Sequence, residues 1–97
     1  MSVAERNVVT IEKEQVGSLK FPAGEVLKSR DEIKYRRTQL ERAQTLGNLE
    51  KGKVQIVFED DQGLKMVHTT IWAVTDNRVV LKGDMSLPLN RIWQVNA

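Results

Sequence analysis

"TTIWAVTDNRVVLKGDMSLPLNRIWQV", residues 69–95, is the stretch of the chain most informative about its architecture. Apolar and β-branched residues come in runs of only a few positions, each cut by a turn signal, which is strand length rather than helix length. "TDNR" reads as a tight turn in which Asp76-Asn77 tolerates positive φ, and Gly83-Asp84 reads as a second. Between them "RVVLK", Arg78 to Lys82, is a strand. "SLPL" gives another around Leu87 and Leu89, with Pro88 at an edge or facing outward because it has no N–H for a ladder. "NRI" is a brief turn, and "IWQV" is a closing strand.

Upstream of this segment the same period holds. Leu64 to Thr75 reads as one long strand, with Val67, Thr69, Ile71 and Ala73 on one face and Met66, His68, Thr70, Trp72 and Val74 on the other. Both faces are largely apolar toward its C-terminal end, as expected of a strand bent around a barrel or shared between two sheets. "EDDQG", residues 59–63, is a hairpin loop. Before it, Val54, Ile56 and Phe58 share one face of a strand, opposite Gln55 and Glu59.

The pattern changes to helix between Ser29 and Leu46. Ser29 and Glu32 have the spacing of a capping box, and Asp31 and Glu32 suit the positive end of the helix dipole. Ile33, Leu40 and Ala43 form a narrow apolar stripe, extended by Leu46 or by the stems of Arg36 and Arg37. Gly47 and Asn48 are read as the helix stop, with Leu49 folding back on the last turn. Residues 1–27 are read as an extended arm, either docked locally or partly disordered, with a short strand from Val8 to Ile11. Residues 28–97 are read as a single domain.

Composition narrows the function. A chain of 97 residues has room for one domain. Without cysteine it has no disulfide, thiolate nucleophile or Cys-ligated metal, which suits a reducing, cytoplasmic setting. Neither a signal peptide nor a membrane-length apolar run is visible. The net charge of +2 is unevenly placed: residues 28–53 hold eight Lys or Arg against four acids, while each flank is slightly acidic.

The resulting fold class is α+β, mainly β: an N-terminal helix followed by a five-stranded antiparallel small barrel, closed or nearly closed, closure removing the edges that an open five-stranded sheet would expose. "IWAVTDNRVVLKG" resembles the bent strand, tight turn and following strand of Sm-like and SH3-like barrels. "LPLNRIWQV" resembles their strand, 3₁₀ link and closing strand. The resemblance covers about residues 50–97, and the helix-first order is that of the Sm-like arrangement. The stretch "KYRRTQLERAQTLGNLEKGKV…TTIWAVTDNRVVLKG…LPLNRI" is also similar to a set of small bacterial proteins, a similarity that brings no activity with it. Bacterial Sm-like RNA chaperones carry a Tyr-Lys-His stretch in the late loop. Here that region reads "KGDMSLPL", so the resemblance does not extend to their uridine-binding ring pocket.

Because small barrels serve RNA, DNA, peptides and other domains alike, function rests on particular residues. Lys34, Arg36, Arg37 and Arg42 on the helix, with Lys51 and Lys53 just beyond it, are the expected phosphate-holding residues of a nucleic-acid-binding module, RNA ahead of DNA. Pairing with Glu41 and Asp31 on a solvated helix face is the structural alternative. Trp72 and Trp93 are the candidate base-stacking residues, Trp72 being the one assigned to the site, and Tyr35 is a similar case amid the helix arginines; half-buried packing is the structural alternative for all three. His68 lacks the companions of a metal or nucleophile site. The acidic tip Glu59–Asp61 reads as a solvated turn. No catalytic group, cofactor, metal or small-molecule substrate is expected. The competing expectation is a protein–protein adaptor or homo-oligomer that buries Ile33, Leu40 and Leu46 at an interface.

Overall fold

The computed structural model describes residues 7–50 and 52–96 and is an α+β domain, mainly β, with one α-helix and two sheets. In chain order come β1 (Val9–Thr10), a 3₁₀ segment (Lys13–Ser18), α1 (Arg30–Glu50), β2 (Val54–Glu59), β3 (Leu64–Thr69) and β4 (Ile71–Val74). β5 (Arg78–Leu81), β6 (Met85–Pro88), a 3₁₀ turn (Leu89–Arg91) and β7 (Ile92–Asn96) complete it. The helix is therefore not the first element. β1 precedes it and lies parallel to β3, with Val9 opposite Lys65 and Thr10 opposite Met66.

Two corrections concern the strands. Among the described residues the expected five strands are seven, in sheets of order β1-β3-β2-β7 and β4-β5-β6. The long run from Leu64 is broken at Thr70 into β3 and β4, which lie in different sheets. Nor is the expected closed barrel found, since no ladder joins β6 to β7 among the described residues. β6 packs on the first 3₁₀ segment and β7 on α1.

Local chemistry explains most elements. Ser29 Oγ accepts the Glu32 N–H at 3.1 Å while Glu32 Oε1 accepts the Ser29 N–H at 3.3 Å, the expected reciprocal cap. In the β2–β3 hairpin Asp60 Oδ1 accepts the N–H groups of Gln62 and Gly63, and Gly63 takes the positive φ that closes the loop. Asp60 is buried and ion-paired to Lys65, so this tip is not simply solvated. Gly83 and Asp84 both have positive φ, as their turn requires. The Thr75–Arg78 turn does not use positive φ. Its backbone is held by Thr75 Oγ1, which accepts the N–H groups of Asn77 and Arg78.

Between the two sheets and α1 lies the main core: Val54, Ile56 and Phe58 of β2 with Val67, Ile71, Val79, Leu81, Leu87 and Ile92. Leu40 and Ala43 enter it from α1, and Val16 from the first 3₁₀ segment. Val57 and Leu64 form a smaller cluster on the opposite face of the first sheet. Leu40 is fully buried inside the domain, so it is not available to an interface with another chain. Gly47 and Asn48 do not stop α1, which continues to Glu50.

Candidate nucleic-acid interface

Two of the arginines expected to hold phosphates are committed internally. Arg36 is only 3% exposed. Its guanidinium forms a two-pronged pair with Glu25 at 2.7 Å on each prong, and donates to the Ile92 carbonyl at 3.0 Å. Burial acts to raise the Glu25 carboxyl. The hydrogen bonds from Arg36 and from the Leu27 and Val26 backbone, with the Arg36 charge, outweigh it and hold the group below its ordinary range. Arg37 donates to the Thr75 and Asp76 carbonyls at 2.9 and 3.0 Å, tying α1 to the β4–β5 turn, and also faces Glu41. Both residues are spent on structure.

The remaining expected residues divide. Lys34 and Arg42 are exposed on α1, on the side turned away from Leu40 and the core. Lys51 lies outside the described residues. Lys53 and Trp72 are the two that sit beside concave surface.

Lys53 precedes β2 and lines a cleft of about 320 Å³ together with His68, Thr69, Thr70 and Lys82. Thr10, Ile11, Glu12 and Lys13, running from β1 to the first 3₁₀ segment, form its opposite wall. Antiparallel pairing brings the cations to one end of the sheets. Val54 is opposite Thr69, so the start of β2 and the end of β3 coincide. Ile71 is opposite Leu81, and the Lys82 N–H donates to the Thr70 carbonyl at 2.9 Å, which pins Lys82 beside the break between the sheets. Lys13 reaches the same place, its Cε lying within 3.2 Å of where a Cβ on Gly83 would be.

The charge of this cleft is not evenly neutralised. Lys13 is paired with Glu14 at 3.0 Å, and Glu12 lies on the wall. Lys53 and Lys82 form no ion pair among the described residues. Lys82 and Lys13 were not among the residues expected from sequence. The available signal was topological: in an antiparallel meander the residue before β2, the end of β3 and the end of β5 fall at one end.

Trp72 lies on the face of β4 opposite Ile71, as strand alternation places it: Ile71 is fully buried and Trp72 is 47% exposed. The ladder is irregular here, since Ile71 is opposite Leu81 but Ala73 is opposite Val80, so β4 spends one extra residue, Trp72, at this point. It lines a second cavity of about 340 Å³ with Gly47, Asn48, Thr70 and Lys82. Thr70 and Lys82 belong to both cavities, so the two are neighbours across one wall. Trp93, by contrast, donates its indole N–H to Glu59 at 2.9 Å and is a packing residue. Tyr35 is exposed on α1, away from the cleft.

Among the described residues no cluster of His, Cys, Asp or Glu suited to hold a metal ion is present, and no helix is long and apolar enough to cross a membrane. No family model, curated protein or solved structure matches this chain.

Proposed function

We propose that this chain is a non-catalytic nucleic-acid-binding module, RNA ahead of DNA, that holds phosphates at the Lys53–Lys82 cleft rather than along the helix. The convergence of Lys53, His68 and Lys82 on one concave surface carries this reading. Lysines in a concavity that form no ion pair among the described residues focus positive potential, and releasing condensed counterions from a bound strand supplies free energy. The order β7-β2-β3, continued past Thr70 as β4-β5-β6, supports reading the strands as an Sm-like or SH3-like barrel left open at one seam.

The test is retention of a fluorescent single-stranded RNA, followed by anisotropy over a series of salt concentrations. Lys53→Ala/Lys82→Ala is expected to weaken binding at least tenfold and to flatten the salt dependence by about one unit of slope per lysine. Absence of binding at low ionic strength, or binding indifferent to this double change, refutes the proposal.

A second reading has one observation behind it. Tyr35, Leu46 and Leu49 are 66%, 39% and 79% exposed and share the outer side of α1, at helical spacing. An adaptor or self-associating scaffold would use this side. Concentration-dependent mass in sedimentation, abolished by Leu46→Glu/Leu49→Glu, is the result that would favour it over the first.

A further inference from the structure

We infer that the cavity beside Trp72 is a nucleobase site, and that it makes the module select unpaired strands over duplexes. The inference rests on the nucleic-acid reading above and specifies its ligand. Three observations converge. Trp72 presents a large aromatic surface on the face of β4 opposite the buried Ile71, at the position where the register with β5 shifts. That surface lines a concavity rather than a convex flank, and the volume of about 340 Å³ is near the lower end for ligand cavities, room for one ring system. Lastly, Lys82 and Thr70 stand on the shared wall, so a base against Trp72 has its backbone next to the cationic cleft.

The chemistry then selects the ligand. A base in a duplex has both faces covered by its neighbours, whereas an unpaired base can lay one face on an indole. Stacking is tolerant of base identity because every base has a π face. Asn48, exposed on the lining, carries the amide that would contact a base edge, while the buried Thr70 turns its methyl toward Gly47. Gly47 matters for the same floor: a side chain there would collide with the backbone at Ile71, immediately before Trp72. The phosphate on one side of the stacked nucleotide would lie toward Lys82 and, beyond it, Lys53.

The experiment compares three probes of equal length on the full chain at one salt concentration: a single-stranded oligonucleotide, an abasic strand with the same phosphates, and a duplex. Trp93→Phe provides a background in which Trp72 alone reports by its fluorescence. The base-bearing strand should quench Trp72 and bind about tenfold tighter than the abasic strand. Trp72→Ala should remove that difference while leaving abasic affinity unchanged, and Trp72→Phe should restore part of it. Circular dichroism of each variant checks that the exposed substitution leaves the fold intact. Equal affinity for base-bearing and abasic strands, or preference for the duplex, overturns the nucleobase site and leaves the phosphate cleft standing. Failure of all three probes to bind overturns the phosphate reading itself, and the inference with it.

Discussion

Gly47 of α1 passes so close to Ile71 of β4 that a Cβ at position 47 would lie 2.7 Å from the Ile71 carbonyl oxygen and 2.9 Å from Thr70 Cγ2. The helix therefore approaches the sheet at backbone distance here. In an exposed helix, glycine to alanine would gain about 1 kcal/mol. Here that gain is outweighed, because the obstacle is main chain and must shift. Gly47→Ala should destabilise the domain by about 1–3 kcal/mol, the usual range for overpacking, read as a lower urea midpoint. A raised midpoint would show that α1 can slide.

The Glu25–Arg36 pair fixes the segment before α1 against the helix and β7. Arg36 is almost fully enclosed, and its Nε is the one buried side-chain polar atom without a hydrogen-bond partner among the described residues. Removing Glu25 would leave an uncompensated charge in that enclosure. Glu25→Ala should cost about 3 kcal/mol, the lower end for a broken buried pair because Glu25 itself is partly exposed. Replacing both residues, as Glu25→Leu/Arg36→Met, should recover most of the loss. Chemical denaturation of the three proteins measures the coupling.

Acid should loosen the fold through two carboxyls. Glu25 is held low as described. For Asp60, burial again acts upward, but the Gln62 and Gly63 N–H groups and the Lys65 ammonium prevail and lower it. A carboxyl with a lower pKa folded than unfolded binds fewer protons in the folded state. Its contribution is complete above the unfolded value, near pH 4, and fades as pH falls through the folded one. Stability should thus decline as the pH is taken below about 4. Glu25→Gln and Asp60→Asn should each make that decline shallower, as seen in unfolding midpoints against pH.

The helix and cleft hypotheses separate cleanly by mutation. Lys34→Ala/Arg37→Ala removes two cations from α1 but none from the cleft. It should lower stability by about 1.5–3 kcal/mol, through the lost charged hydrogen bonds to Thr75 and Asp76, and leave strand affinity within about twofold. An affinity loss as large as that of the Lys53/Lys82 change would return the phosphate site to the helix.

Local signals were legible because their causes lie within a few residues. The Ser29–Glu32 cap, the period-two strand around Ile56, the Gly83-Asp84 turn, the edge position of Pro88 and the link before Ile92 follow from side-chain alternation, φ preference and a missing N–H. The charge map was not legible in this way. Arg36 and Arg42 look alike in the sequence, yet one is buried by a carboxylate eleven positions away and a carbonyl 56 away, and the other is left in water. Gly47 looks like a helix stop, but a strand packed against it makes it a contact residue and the helix runs on. Alternation put Trp72 on the face opposite Ile71, but the hollow it lines with Gly47, Asn48 and Lys82 comes from elements distant in the chain.

Most elements, in kind and approximate start, follow from the amino-acid order alone; the 3₁₀ segment Lys13–Ser18 and the break at Thr70 do not. Tertiary packing sets which cations are ion-paired among the described residues, and it sets Lys53, Lys82 and Trp72 around adjoining hollows. The physical reason is range: backbone preferences act over one turn or one hairpin, whereas desolvation and ion pairing depend on whichever distant group the fold brings within a few ångströms.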